Sequence, residues 1–325
     1  LEARIAALEG GADAIAFTTG MAAETVMMTL FESSGHIIAG DDLYGGSIRL
    51  FRHVSTPSGI RFDFVDTADT EKVKSLIRPD TKALYIETPS NPVMQVTDIR
   101  AIAEITHEAG ALLIVDNTFL TPLFQRPLEL GADIVIHSGT KYLGGHNDTL
   151  AGFLVVNSKE LGERLRFFAK TVGACLSPFD CFLVERGIKT LAVRLEKQAA
   201  NAEKIAYWLR SRPEVRKVYY IGFPDHPGYA VTSKQCNGYG AMISLELDTP
   251  KTAKKILRNV KVLQYAESLG GVESLITYPM LQTHADIPES ERNARGINDR
   301  FLRISAGIEN AEDLLEDLEQ ALEGK

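Results

Sequence analysis

One lysine, Lys141, stands in the stretch "IVIHSGTKYLGGHND" (residues 134–148), where an apolar run turns abruptly into hydroxyls and glycines. A lysine just past a buried strand is an odd choice for a segment that needs only to turn, and a desolvated amine is a nucleophile. Four other apolar runs end in residues able to do chemistry. "AIAF" leads into Thr19, Gly20 and Met21; "HIIAG" into Asp41, Asp42 and Tyr44; "ALYIET" into Ser90 and Asn91; "LLIV" into Asp116, Asn117 and Thr118. Singly, each has an ordinary reading: Asp116 as a helix cap, Tyr44 as a half-buried aromatic, Lys141 as a solvated loop cation. Jointly, at five strand ends, they supply a helix N-terminus, a ring, an amide, a carboxylate, hydroxyls and an amine.

That set fits pyridoxal 5'-phosphate. The cofactor needs a lysine for its Schiff base and an acid for its pyridinium nitrogen, here Lys141 and Asp116. Its phosphate suits backbone N–H groups at a helix N-terminus, which Gly20 leaves approachable, with Ser138 and Thr140 as hydroxyl donors. Tyr44 can stack on the ring. Residues 138–141 also spell S-x-x-K, but the S-D-N and K-T-G elements that accompany it in penicillin-binding enzymes are missing. No G-x-G-x-x-G, P-loop or H-E-x-x-H is present, and no metal-ligand spacing.

The elements that must position these residues alternate. Strands are expected over 14–20, 36–40, 82–92, 111–118 and 132–138, and helices over 21–31 and 98–110, the latter with Asp98 as N-cap and Gly110 as stop. Continuous apolar runs such as "ALLIV" suit strands buried on both faces of a parallel sheet, so the first part reads as a doubly wound α/β domain. Residues 177–211 read as one long helical stretch leaving that domain. Beyond it, strands at 215–220, 240–247 and 300–308 and helices at 251–260 and 311–324 make a smaller α+β domain. The expected division is 1–190 and 191–325.

Composition narrows the class. In 325 residues, 45% are hydrophobic, 24% are charged and the net charge is −8, with no basic cluster; nucleic acid and anionic membrane surfaces are poor partners for such a chain. No apolar run reaches the roughly 18–20 residues of a membrane helix. The start, "LEARIAALEG", has no signal-peptide pattern and no Met, so we expect a longer gene product. Cys175, Cys181 and Cys236 are scattered, which suggests buried or inert thiols in a reducing cytoplasm.

"HSGTKYLGGHND", "YIETPSNP", "IVDNTF", "DDLYGGS" and "ESLGGVESLITYP" resemble, in order and across the chain, the trans-sulfuration (Cys/Met metabolism) family of pyridoxal phosphate enzymes. The resemblance implies an aspartate-aminotransferase-like fold (fold type I) and a homotetramer built as a dimer of dimers, with sites at dimer interfaces. It makes Lys141 the Schiff-base lysine and acid/base, and Tyr44 the stacking ring and a second proton acceptor. It makes Gly20, Met21, Ser138 and Thr140 the phosphate site, Asp116 the pyridinium partner, Asn91 the amide near the 3-oxygen, and Thr118 a residue behind the ring. Arg303 in "FLRIS" becomes the clamp for the substrate α-carboxylate, with Ser268 beside it; unaided, Arg303 reads as a strand-edge surface residue and Ser268 as a loop residue. The family's N-terminal Tyr-x-Arg arm lies upstream of Leu1, so its contacts fall to no residue here.

Within the family, side details order the reactions. Methionine γ-lyases resemble Tyr-Gly-Cys at the stacking tyrosine, whereas this chain has Tyr44-Gly45-Gly46. Glu267 resembles the glutamate of cystathionine γ-synthases and γ-lyases, where it would attract a substrate ammonium; its ordinary reading is a solvated rim residue. "ITYPMLQTHADIP" and "PLELGADIVIHS" are similar to bacterial cystathionine γ-synthases that are also O-acylhomoserine thiolyases. The expectation is γ-replacement of an O-acylhomoserine by cysteine, with γ- or β-cleavage of cystathionine as the alternative. An aminotransferase, or a binding protein that has lost its chemistry, is disfavoured by the joint presence of Lys141, Asp116, Tyr44 and Arg303.

Overall fold

The computed structural model describes residues 1–324 except Glu32 and Asp286; Asp286 within "ITYPMLQTHADIP" therefore lies outside the described residues. The first sheet comprises β1 (Asp13–Phe17), β2 (His36–Gly40), β3 (Arg61–Val65), β4 (Thr81–Glu87), β5 (Leu112–Asp116), β6 (Ile134–Ser138) and β7 (Gly152–Val156), in the order β1-β7-β6-β5-β4-β2-β3. From β3 to β6 neighbouring strands are parallel. The buried apolar runs of β2, β4, β5 and β6 make that core, as their pattern predicts. Helix Ile99–Glu108 begins at Asp98, whose side chain accepts the Ala101 N–H.

Two features depart from a purely parallel sheet. β7, which the sequence does not announce, runs antiparallel to both β6 and β1. The connection from β6 to β7 is residues 139–151, with no crossover helix; Thr140 N–H donates to Ala151 O (3.2 Å) and Ala151 N–H to Thr140 Oγ1 (3.1 Å). A chain clasped this tightly at its ends can only turn back beside its parent strand.

The stretch 177–211 forms two helices, Pro178–Ile188 and Leu191–Arg210. Buried Arg194 braces the break: Nε donates to Thr190 Oγ1, Nη2 to the Gly187 carbonyl, which also accepts from Thr190, and Nη1 to Tyr142 O, the residue after Lys141. The guanidinium thus caps one helix and ties it to the lysine loop.

The second sheet comprises β8 (Val215–Tyr219), β9 (Met242–Leu247), β10 (Gln264–Tyr265), β11 (Leu275–Thr277) and β12 (Phe301–Ser305), in the order β10-β11-β12-β9-β8. β12 lies between β11 and β9, so the edge position expected for Arg303 is not what forms: Arg303 is 1% exposed. One apolar cluster runs from Ile5, Leu84 and Val115 of the first part to Ile243, Leu302 and Leu314 of the second. Leu191–Arg210 packs on β8 and β9. The division at residue 190 stays our proposal. The cysteines are free, and Cys175 is exposed rather than buried; burial pushes the Cys236 thiol up to about 12.

Candidate active site

The carboxyl ends of β4, β5 and β6 open into a cavity of about 340 Å³, where ligands gather in open α/β sheets. Lys141, Tyr44, Asn91, Asp116, Thr118, Ser138 and Thr140 line it, together with Gly20 and Met21 from the start of helix Gly20–Met28 and Glu267, Ser268 and Arg303 from the second part. All twelve side chains or backbone positions singled out in the sequence meet in one place.

Lys141 is held by one partner: its Nζ donates to Ser268 Oγ at 2.8 Å. Ser268 takes a left-handed backbone (φ 84°), and Gly270 after it (φ 79°) passes so close to Lys141 and Tyr142 that a Cβ would meet Tyr142 N at 2.8 Å. Burial, then the Arg303 charge, lowers the amine to about 8, with Glu267 acting in the opposite sense. Arg303 Nη1 donates to Asn91 Oδ1 (2.9 Å), and Nη2 to Ser268 O (2.9 Å) and Thr277 Oγ1 (3.3 Å). Its Nε has no hydrogen-bond partner among the described residues.

Asp116 sits at the end of β5, and Thr118 clips it in place. Thr118 N–H donates to Asp116 Oδ1 (2.9 Å), while Thr118 Oγ1 accepts the Ser138 N–H (2.9 Å) and joins the ends of β5 and β6. The helix cap that Asp116 would be in isolation does not form. Burial raises its carboxyl, and no salt-bridge partner stands beside it among the described residues. Helix Gly20–Met28 is capped by Thr19, whose Oγ1 accepts the Ala22 N–H, leaving the Gly20 and Met21 N–H groups without intrahelical partners. A Cβ at Gly20 would press on Ser138 Cβ at 3.2 Å. Thr140 differs from expectation in part: its hydroxyl is engaged with the Ala151 backbone.

Tyr44 is 40% exposed, so it is a cavity-facing ring rather than a packing aromatic. A Cβ at Gly46 would meet Tyr44 Cε1 at 2.4 Å and Met21 Sδ at 2.9 Å, which gives the Tyr-Gly-Gly pattern a steric reason. Sequence reasoning missed Glu24 and Glu87, both lining the cavity and 3% and 7% exposed. A signal existed for Glu87: it closes an apolar strand, as Asp116 does, and the two are paired in register across β4 and β5.

The parts fit pyridoxal phosphate on observations of this structure: a buried amine of lowered basicity, a buried carboxylate awaiting a cation, and bare N–H groups at a helix N-terminus beside a glycine that no larger residue could replace without displacement. Fold and site together define a fold type I pyridoxal phosphate enzyme.

The sequence profile described as Cys/Met metabolism PLP-dependent enzyme matches residues 1–323. Cystathionine gamma-lyase of Bacillus subtilis is 51% identical, over 99% of this chain and 85% of its own length. Cystathionine beta-lyase of Lactococcus lactis is 49% identical (100% and 86%), and the cystathionine gamma-synthase/O-acetylhomoserine (thiol)-lyase of Bacillus subtilis 50% (99% and 82%). The crystal structure of cystathionine gamma-lyase from Lactobacillus plantarum superposes with a TM-score of 0.97 at 44% identity, covering 99% of this chain and 85% of that one. The chain belongs to the Cys/Met metabolism family of PLP-dependent enzymes. It is a trans-sulfuration enzyme, and its cofactor is pyridoxal 5'-phosphate.

Proposed function

We propose that the protein is a carbon–sulfur lyase that cleaves cystathionine at the γ-carbon. The observation that carries this is the pairing of opposite charges in one cavity: Arg303 and Glu267 both line it and both act on Lys141, from opposite directions. Cystathionine carries an α-carboxylate at one end and an ammonium at the other, so its two ends match that pair. The resemblance of Glu267 to the glutamate of γ-acting members favours the γ-carbon.

In this reading Arg303 binds the substrate α-carboxylate through its guanidinium fork, a geometry that fixes orientation as well as charge. Asn91 Oδ1 is already on Arg303, so its amide N–H is free to donate into the cavity. Asp116 would pair with the pyridinium nitrogen, Thr118 would steady Asp116 and the Ser138 backbone behind it, and the Gly20 and Met21 N–H groups with the Ser138 hydroxyl would take the phosphate. Lys141 would hold the cofactor covalently in the resting enzyme. The chemistry supplied by the cofactor, when bound, would be an electron sink for the substrate carbon that has lost its proton. Lys141 Nζ, with Ser268 Oγ fixing its position, would take the α-proton and then a β-proton; the Cγ–S bond would break with its electron pair leaving on sulfur, which takes up a proton to depart as cysteine. Tyr44 would cover the ring; burial raises its phenol, so it keeps its proton and would serve as a donor rather than an acceptor.

Replacement at the γ-carbon, the first expectation from the sequence, becomes the second reading; the synthase/thiol-lyase at 50% identity is as similar to this chain as the lyases are. We further propose a cytoplasmic homotetramer. Exposed Phe167, Phe179 and Phe182, on helices Lys159–Val172 and Pro178–Ile188, are suited to cover by a second copy. No helix of the described residues is long and apolar enough to cross a membrane. Mass spectrometry of products decides the reaction. From cystathionine alone we expect cysteine with 2-oxobutyrate; homocysteine with pyruvate means β-cleavage. Turnover only of an O-acylhomoserine with cysteine, giving cystathionine, replaces the lyase by the synthase.

A further inference from the structure

Three acids crowd the inner wall of the cavity: Asp116, Glu87 beside it in register, and Glu24 on helix Gly20–Met28. The cofactor offers one pyridinium, and Asp116 takes it. What Glu24 and Glu87 touch is the turn that carries Tyr44. Glu87 Oε2 accepts the Tyr44 backbone N–H at 2.9 Å. Glu24 Oε1 accepts the Ser47 hydroxyl at 2.9 Å, three residues further on. The turn 44–47 is thus pinned at both ends, once from β4 and once from helix Gly20–Met28.

We propose that Glu24 and Glu87 are positioning residues that fix the Tyr44 ring over the cavity by holding the turn 44–47 at two points. The inference rests on the reading of Tyr44 given above.

Both acids sit where the neutral carboxyl is favoured. Neither has a salt-bridge partner among the described residues, and an unpaired buried anion is costly. The groups facing Glu24 are Asp116, Ser47 and Tyr85; those facing Glu87 are Asp116, Asp42, Glu24 and the Tyr44 N–H. Arg303 acts on Glu87 at longer range, but no cation forms an ion pair with either acid among the described residues. Burial and then the Asp116 charge raise Glu24 to about 8, and the same two causes hold Glu87 well above the carboxylate range. Glu24 Oε2 is buried with the Tyr85 hydroxyl facing it but no well-formed hydrogen bond between them, so an ionised Glu24 would be poorly paired. A neutral acid keeps its acceptor oxygen for the turn, leaves Asp116 the one anion for the pyridinium, and is mimicked by glutamine.

The test uses the holoenzyme with Glu87→Gln, Glu87→Leu, Tyr44→Ala and the Tyr44→Ala/Glu87→Leu pair, read by kcat, by KM and by the pH midpoint of the cofactor's visible absorbance. Glu87→Gln should stay within about threefold in kcat with the midpoint unmoved. Glu87→Leu should lower kcat by about 10²-fold with little change in KM, the scale of a misplaced catalytic group. In the Tyr44→Ala background Glu87→Leu should add less than about threefold, since an effect transmitted through Tyr44 vanishes with it. If Glu87→Leu does not fold, Ser47→Ala and Glu24→Gln carry the same cycle, the first damaging and the second tolerated. Glu87→Gln as harmful as Glu87→Leu, with the midpoint shifted by a full unit, means an anion acting on the cofactor and overturns the proposal. Full additivity with Tyr44→Ala also overturns it. Tyr44→Ala with unaltered kcat overturns the Tyr44 reading itself, and the inference with it.

Discussion

An amine lowered to about 8 is a sizeable fraction neutral at physiological pH, where an ordinary lysine is almost wholly protonated. In the cofactor-free protein, Lys141 should therefore be acylated ahead of surface lysines, with a rate that rises through a midpoint near pH 8; peptide mapping of a timed labelling series reads it, and a midpoint above 10 contradicts the account. Glu24 gives a second residue-scale expectation. Its carboxyl lies near 4.5 when unfolded and near 8 when folded. Between those values the folded state keeps a proton that the unfolded state has lost, so stability falls as pH rises through the window, by up to about 1.4 kcal/mol per pH unit. Urea midpoints of cofactor-free wild type and Glu24→Gln, compared from pH 5 to 8, should lie close together at pH 5 and diverge towards alkaline pH, as the wild type alone loses stability. Lys141 and Asp116 were legible in the sequence because polar residues that end apolar strands are conspicuous. Glu24 was not, because an acid in "MAAETVMM" has the look of a helix's solvent face. Arg303 was legible only through resemblance, since its burial depends on β9 and β11, which lie far from it in sequence.

Apolar runs announced the parallel strands at the scale of elements, but β7 and the break at Thr190 were hidden. The first depends on the clasp between Thr140 and Ala151, the second on Arg194 reaching across to the lysine loop; both are tertiary contacts that no local pattern carries. A close backbone approach near the site is that between β7 and the entry to helix Gly20–Met28. A Cβ at Gly152 would lie 2.1 Å from Thr19 O and 2.7 Å from Gly20 N, both backbone atoms. Gly152→Ala should therefore cost about 1–3 kcal/mol in unfolding by overpacking. It should also weaken cofactor retention, because the displaced backbone is the proposed phosphate site. Thermal unfolding and equilibrium dialysis against the cofactor check the two effects, and a stable variant with unchanged affinity contradicts them.

At the scale of the molecule, two sheets share one apolar core, and the cavity lies where strand ends from the first meet the segment around Ser268 and β12 from the second. Arg303 and Ser268 belong to one part and Lys141 and Asn91 to the other, so the hydrogen bonds Lys141–Ser268 and Arg303–Asn91 exist only when both are assembled. Sedimentation at micromolar concentration should give four copies of the 35.7 kDa chain; a monomer contradicts the assembly proposed. The central claim is that this cavity holds the cofactor on Lys141. The most direct measurement is borohydride reduction of the holoenzyme followed by digestion and mass spectrometry. A pyridoxyl mass is expected on the peptide carrying Lys141, and on no other peptide, and none in Lys141→Ala. A label on a different lysine, or a reducible bond that survives in Lys141→Ala, would contradict it.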